Sequence, residues 1–159
     1  MMPEVLFAPW RYDYLVAEKP SGCIFCRAAA SGNEEESLVV YRGRRVFVLL
    51  NRYPYTNGHL MVAPYEHLDT IAVAKAEQLS EMMQLAQRCI GALQKLYRPE
   101  GFNIGMNLGQ AAGAGIREHF HLHVVPRWVG DANFMSIVGE TRVLPEELGQ
   151  TYERLKSAL

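Results

Sequence analysis

The residues with the clearest potential for chemistry are three histidines that alternate with apolar residues, His119-Phe120-His121-Leu122-His123. This alternation predicts a β-strand, because successive side chains of a strand point to opposite faces of the sheet. The three imidazoles then share one face, about 6.6 Å apart at roughly 3.3 Å per residue, and the apolar side chains face the core. We expect the chain to turn at Pro126. Imidazole acts as a metal ligand, an acid, a base or a nucleophile, so the spacing favours a reaction or metal site over a solvated polar face.

Two cysteines earlier in the chain offer a second kind of chemistry. Cys23 and Cys26 have the Cys-x-x-Cys spacing of half a zinc site. Zinc usually takes four ligands, and His67 together with one histidine of the triplet is a candidate for completing the set. The alternative is a pair of reduced cysteines on a short helix. A redox pair is disfavoured, because it typically opens a helix within a βαβ pattern, which the sequence lacks.

A loop of small residues leads directly into the histidines. Gly109 and the segment 111–115 lack bulky side chains, so backbone N–H groups can approach an anion closely there. A tight crossover is the alternative interpretation. Neighbouring histidines, and a zinc ion if present, disfavour protonation of His121. The segment therefore indicates a neutral imidazole nucleophile that faces a phosphorus atom, with N–H donors and a second histidine around the oxygens.

The elements that must position these groups follow from residue type and periodicity. Five stretches rich in β-branched, aromatic or alternating apolar residues predict strands, over 38–41, 46–50, 59–63, 102–107 and 119–125. Apolar residues at three- and four-residue steps predict one long helix over about 75–97, which Pro99 ends. A C-terminal helix is expected to open at Pro145. The predicted class is α+β, an antiparallel sheet of about five strands with these two helices against it.

Composition limits the classes of partner and compartment. The 159 residues suit a single domain, and the net charge of −1 without a basic run argues against nucleic acid or an anionic membrane as partner. No apolar stretch approaches the ~20 residues that span a bilayer. The N-terminus lacks the pattern of a signal peptide. We therefore expect a cytoplasmic protein, a compartment that also suits a reduced Cys-x-x-Cys.

The segment 119–125 matches the motif His-φ-His-φ-His-φ-φ of the histidine triad (HIT) superfamily of nucleotidyl hydrolases and transferases, where φ is apolar. The resemblance extends over about residues 23–128 and includes the motifs at 51–54, 58–64 and 126–127. It implies the HIT fold. The tail at 127–134 and the segment 8–11 resemble a narrower bacterial branch that contains diadenosine tetraphosphate phosphorylases.

The resemblance also implies roles for the histidines and cysteines. His121 corresponds to the nucleophile that forms a nucleotidyl-histidine intermediate, and His123 to the residue that contacts the transferred phosphate. The resemblance implies a structural zinc ion and no organic cofactor. The four ligands shared by many bacterial members correspond here to Cys23, Cys26, His67 and His119.

Other contacts carried over from the family concern the substrate. His59 resembles the fourth active-site histidine, which supports the triad. Asn51 corresponds to a residue that meets the ribose, and Asn107 to an amide near the phosphates or ribose. The family usually carries Gln, Ser or Thr just before the triad, whereas the turn at 112–118 has none of these. Gln110 or backbone N–H groups are the candidates to replace it, so the leaving-group preference stays open.

The resemblance therefore implies an enzyme that cleaves dinucleoside polyphosphates at the α-phosphate, with water or phosphate resolving the intermediate. The alternatives are a purine nucleoside phosphoramidase of the same superfamily, a non-catalytic nucleotide-binding protein and a purely structural zinc protein. We expect an N-terminal arm over 1–22, a core domain over 23–128, and a C-terminal segment over 129–159 packed on that domain. We also expect a homodimer, because HIT proteins commonly dimerise and both terminal segments are apolar for a lone surface.

Overall fold

The protein was analysed as a computed structural model, which describes residues 21–132 and 144–159. The predicted arm over 1–22 lies almost wholly outside the described residues. The helices of the described part are α1 (Ile24–Ala30), α2 (Glu34–Ser37), α3 (Ala76–Tyr97) and α4 (Leu148–Ala158). The strands are β1 (Val39–Arg42), β2 (Val46–Leu50), β3 (Leu60–Pro64), β4 (Gly101–Gly105) and β5 (Leu122–Arg127). The predicted α+β class, a five-stranded antiparallel sheet with one long and one C-terminal helix, is confirmed.

The sheet has the order β1-β2-β3-β5-β4, and all neighbouring strands are antiparallel. The last strand in sequence, β5, is therefore inserted between β3 and β4. On β5, His123 lies opposite Met61 of β3 and Gly105 of β4. This register fixes the face of the sheet on which the His123 side chain emerges.

The two faces of the sheet carry different cores. The α3 face holds Phe120, Leu122 and Val124, in the main core with residues of α3 and α4. The predicted inward direction of these three side chains is confirmed. The opposite face is covered by α1, and its core consists of Phe25, Ala28, Val39, Phe47, Leu49, Met61 and Ala63. Because Met61 lies opposite His123 in the register, His123 belongs to the α1 face.

The long helix α3 begins one residue later than predicted and ends where predicted. Its buried stripe includes Met82, Ala86 and Leu93 and packs against the sheet. The last helical residue is followed by the C-cap residue Arg98, whose φ of 47° is left-handed, and then by Pro99.

The prediction of a single strand carrying all three histidines is wrong. The strand β5 begins at Leu122, so His119 and His121 precede it and only His123 lies within it. The N–H of Phe120 donates to the carbonyl of Leu68 at 2.7 Å, outside the strand ladder. The alternating pattern still directs the apolar side chains inward, but the backbone at the first two histidines follows a path set by other parts of the chain.

The predicted turn at Pro126 is also wrong, because β5 continues through Pro126 to Arg127. Pairing of β5 with β3 stops where Val124 lies opposite Leu60. Pro126 lies beyond that point, so its missing N–H costs no ladder hydrogen bond with β3. Its carbonyl accepts a hydrogen bond from the hydroxyl of Thr56 at 2.7 Å.

The C-terminal helix α4 begins at Leu148, three residues after Pro145, which was expected to open it. Its buried residues Tyr152 and Leu155 join the main core, as the apolar spacing predicted. Within the described residues, no helix combines the length and apolarity needed to cross a membrane.

Candidate active site and metal centre

His121 lies at the end of the irregular segment before β5, and its imidazole is 7% exposed. Its Nδ1 is 3.0 Å from the carbonyl oxygen of His119. A carbonyl only accepts, so Nδ1 carries the hydrogen, and in the neutral ring Nε2 keeps its lone pair. The ring contacts that of Phe25, at a centroid distance of 4.5 Å, and that of His123, in an edge-to-face arrangement at 4.7 Å. In this arrangement Nε2 is the ring nitrogen that could act as a nucleophile.

His123 receives its hydrogen-bond partner from outside the triplet. The backbone N–H of Tyr55 donates to Nδ1 of His59 at 3.1 Å, so Nδ1 of His59 is an acceptor and its Nε2 bears the hydrogen. That Nε2 lies 2.8 Å from Nδ1 of His123 and donates to it. In a neutral ring, His123 then carries its own hydrogen at Nε2. The chain of contacts makes His123 a hydrogen-bond donor toward a ligand.

Burial keeps these imidazoles neutral. Burial, with a smaller contribution from the neighbouring His121, lowers the pKa of His123 to about 4. Burial also lowers the pKa of His121, although the hydrogen bond to the His119 carbonyl opposes this shift. Neutral rings at physiological pH are what both a nucleophile and the tautomer of His123 require.

A second cluster lies directly beside this one. The sulfurs of Cys23 and Cys26, with one ring nitrogen each from His67 and His119, lie within 4.8 Å of one another. Nδ1 of His119 is 3.3 Å from the sulfur of Cys23 and 3.6 Å from that of Cys26. Nδ1 of His67 is 3.3 Å from the sulfur of Cys26. Zinc bonds of about 2.0–2.3 Å in a tetrahedron place neighbouring donors roughly 3.5 Å apart, so these separations fit zinc.

His119 is oriented for this role by a backbone carbonyl. Its Nε2 is 2.9 Å from the oxygen of Pro64 at the end of β3, so Nε2–H donates and Nδ1 keeps its lone pair toward the two sulfurs. A carbonyl at the second nitrogen of a ligand histidine is a common outer partner in metal sites. The donor set of two thiols and two imidazoles, with one ring fixed in this way, fits a closed structural zinc site.

The loop 51–58 builds the support for His59. The side chain of Asn51 accepts the N–H of Tyr53 at 2.9 Å, and its amide nitrogen lies 3.4 Å from Nδ1 of His59. Gly58 has a φ of +79°, which L side chains rarely adopt, and a Cβ there would lie 2.8 Å from the end of the buried Leu93 side chain, so the position favours glycine. The loop thereby fixes the N–H that selects the His59 tautomer.

The other predicted substrate contacts, Asn107 and Gln110, have different surroundings in the structure. Asn107 is half-buried between β4 and a short 3₁₀ turn at 110–112. Gln110 is exposed and accepts a hydrogen bond from Arg117 at 3.0 Å. Neither side chain hydrogen-bonds to a histidine within the described part of the chain. Sequence reasoning missed Tyr55, whose contribution is a backbone N–H, and Phe25, whose packing partners are distant in sequence.

Comparisons with known proteins agree with the fold. The family model described as the HIT domain matches residues 32–129. The chain is 46% identical over 155 residues to a Mycobacterium tuberculosis protein named AP-4-A phosphorylase, which covers 92% of this chain and 79% of that protein.

Solved structures show the same similarity. A Zn-bound histidine triad family protein from Mycobacterium smegmatis matches with a TM-score of 0.70 and 28% identity, over 86% of this chain and 92% of that one. A HIT family protein from Bacillus anthracis matches with a TM-score of 0.60 and 28% identity, over 76% and 86% of the two chains. From the family match, the sequence identity and the shared fold, this chain belongs to the HIT domain family.

Proposed function

We propose that this chain is an enzyme that cleaves dinucleoside polyphosphates, diadenosine tetraphosphate or triphosphate, at the α-phosphate. The observation that carries the proposal is the neutral, buried His121, whose Nδ1–H is bonded to a carbonyl and whose Nε2 keeps its lone pair. The 46% identity to a protein named AP-4-A phosphorylase supports this class of substrate.

The reaction has two displacements. In the first, the Nε2 lone pair of His121 forms a bond to the α-phosphorus, the bond from that phosphorus to the bridging oxygen breaks, and ATP leaves diadenosine tetraphosphate. The intermediate is an adenylyl group on His121. In the second, an oxygen of phosphate or water attacks the same phosphorus, the P–N bond breaks, and His121 is restored. Phosphate gives ADP, and water gives AMP. A covalent intermediate divides one difficult displacement into two easier ones.

His123 is proposed to contact the phosphate of the transferred adenylyl group. The donor chain from Tyr55 through His59 leaves the hydrogen of His123 at Nε2. A fixed donor aimed at a phosphoryl oxygen stabilises the charge that develops in the transition state. Because the donor chain is already formed without substrate, little reorganisation is needed at the moment of reaction.

The nucleotide contacts carried over from the family complete the proposal. Asn51 is assigned to the ribose, Asn107 to the ribose or phosphates, and Gln110 or backbone N–H groups to the place of the missing Gln, Ser or Thr. Gly109 and Gly113, on either side of the 3₁₀ turn, have φ values of +81° and +82°. Such a backbone supports N–H groups that point toward an anion.

We also propose a structural zinc ion. Cys23, Cys26, His67 and His119 would hold it, and a closed site with four protein ligands contributes folding free energy rather than a reactive metal-bound water. The ligand separations described above and the zinc-bound state of the M. smegmatis protein support this assignment. Thiol ligands must stay reduced, which supports the expected cytoplasmic location.

A homodimer is part of the proposal. The strand β4 forms one edge of the sheet, and its residue Ile104 exposes 42% of its surface. Within residues 21–132 and 144–159 no further strand pairs with β4, and an edge with an exposed apolar side chain favours pairing with a second copy. Light scattering at micromolar concentration tests this expectation. A mass of two chains supports the homodimer, and a mass of one chain contradicts it.

Product analysis tests the activity directly. Purified protein is incubated with diadenosine tetraphosphate, with and without inorganic phosphate, and the nucleotides are separated. ATP plus ADP that requires phosphate means phosphorolysis, which the name of the M. tuberculosis relative favours. ATP plus AMP means hydrolysis. Cleavage of an adenosine phosphoramidate alone would replace the proposal with the phosphoramidase alternative, and turnover of neither substrate would leave a binding protein.

A further inference from the structure

One fully buried aromatic ring joins the metal cluster to the nucleophile. Phe25 lies between Cys23 and Cys26 in sequence and is 0% exposed. Its ring centroid is 4.5 Å from that of His121 and 5.2 Å from that of His119. The segment that would hold zinc therefore also supplies the side chain packed on the attacking imidazole.

The second restraint on His121 comes from the same cluster. Nδ1–H of His121 donates to the carbonyl of His119, a candidate metal ligand. This hydrogen bond opposes rotation that would exchange the two ring nitrogens. It leaves the tilt of the ring free, and the contacts with the rings of Phe25 and His123 limit that tilt.

We infer that Phe25 is a positioning residue for the reaction, held by the Cys23–Cys26 segment and packed against the imidazole of His121 so that Nε2 stays aligned for attack. The inference rests on the proposed function, because it requires His121 to be the nucleophile. In-line attack is sensitive to alignment, and a misplacement of about 1 Å can cost on the order of 10²-fold in rate.

The chain contains a matched control for this inference. Phe47 is also 0% exposed and belongs to the same core on the α1 face. Its ring stacks on Tyr65 at a centroid distance of 5.2 Å, and the described contacts include none with a histidine. Phe25→Leu and Phe47→Leu therefore remove the same atoms from the same core, and only one of them removes packing from the nucleophile.

The experiment compares kcat, KM, zinc content and urea midpoint for the two variants. We expect Phe25→Leu to lower kcat about 10- to 100-fold with KM nearly unchanged, and Phe47→Leu to lose a similar amount of urea midpoint with kcat near the wild-type value. Zinc content should stay at the wild-type level in both. Equal effects of the two variants on kcat, or no effect of Phe25→Leu, would overturn the positioning role. So would a loss of kcat that is explained by lost zinc and recovered when zinc is added.

A measurement that does not depend on turnover completes the test. Nitrogen-15 NMR of the His121 ring reports which nitrogen carries the hydrogen and whether the ring exchanges between orientations. We expect a single state with Nδ1–H in the wild type and Phe47→Leu, and exchange broadening in Phe25→Leu. An unchanged His121 signal in Phe25→Leu would contradict the inference. If Phe25→Leu does not fold, Phe25→Met with Phe47→Met keeps more of the side-chain volume for the same comparison.

The proposed function can fail separately. Full cleavage by His121→Asn would show that His121 is not the nucleophile, whatever the Phe25 variants do. Loss of cleavage in His121→Asn together with normal kcat in Phe25→Leu would keep the function and overturn only the positioning role.

Discussion

Two clusters that contain histidines lie side by side on the α1 face. The cluster proposed to bind zinc, called the metal cluster, consists of Cys23, Cys26, His67 and His119, and the cluster proposed to carry the reaction, called the reaction cluster, consists of His59, His121 and His123. In the metal cluster, Nδ1 of His119 and Nδ1 of His67 face sulfur. In the reaction cluster, ring nitrogens face a carbonyl, a backbone N–H or another imidazole.

The two clusters differ in which ring nitrogen of a histidine is hydrogen-bonded to the backbone. The carbonyl of Pro64 accepts the Nε2 hydrogen of His119, which leaves the Nδ1 lone pair for the proposed metal. The carbonyl of His119 accepts the Nδ1 hydrogen of His121, which leaves the Nε2 lone pair for the proposed attack on phosphorus. Two histidines that are two residues apart therefore present opposite nitrogens. The lesson is that the hydrogen bond on the far side of an imidazole decides its function as much as the residue itself.

The largest expected effect comes from replacing the proposed nucleophile, and it tests whether the two clusters act separately. His121→Asn should lower kcat by about 10⁴-fold or more, because no other described group replaces the covalent step. Zinc content should not change, since His121 lies outside the metal cluster. Single-turnover assays with metal analysis of the same sample measure both. A variant that loses zinc and activity together would mean that the clusters are not distinct.

Cys23→Ser addresses the other cluster. It should abolish stoichiometric zinc and lower the urea midpoint, because a metal site holds three separate parts of the chain together. Turnover should fall about 10- to 100-fold, less than in His121→Asn, because the nucleophile is displaced rather than removed. Cys89→Ser is the matched control, since this buried thiol lies in the main core. Equal and negligible zinc in wild type and Cys23→Ser would refute the metal cluster.

The support of His123 by His59 predicts a smaller effect. His59→Leu removes the donor to Nδ1 of His123, whose distance is 2.8 Å. Loss of one hydrogen bond worth about 1.4 kcal/mol should lower kcat roughly tenfold. His59→Leu, His123→Gln and the double variant form a cycle, in which the His59 effect should largely vanish once His123 is absent. Additive effects would show that His59 acts on something else.

The stability of the folded protein should depend on pH through His123. In the folded state the pKa of His123 is about 4, below the ordinary value of 6.5 in an unfolded chain. Between these values the unfolded chain binds more protons, so stability should fall as pH drops from about 6.5 to 4 and be independent of this group above that range. Urea midpoints at pH 7.5 and 5 measure the slope. His123→Gln should be less sensitive to pH than the wild type, and an unchanged slope would contradict the buried neutral ring.

Local patterns were sufficient for most of the fold. The helix α3 was predicted within one residue at its start because a 3.6-residue apolar period and a following proline are both local signals. The β2 strand was predicted with its observed bounds for a similar reason. The extent of β5 was not predicted correctly. It depends on where β3 ends and on the hydrogen bond between Phe120 and Leu68, and sequence periodicity describes neither.

For the candidate site, the sequence by itself determined the chemical types: three spaced imidazoles, a Cys-x-x-Cys pair and the family motif that joins them. Only the tertiary structure decided which nitrogen each ring presents, because that depends on carbonyls at Pro64 and His119 and on the N–H of Tyr55. Backbone donors and acceptors are common to nearly all residues and leave no trace in residue identity. The sequence therefore specified the groups, and the fold specified their tautomers, neighbours and separation into two sites.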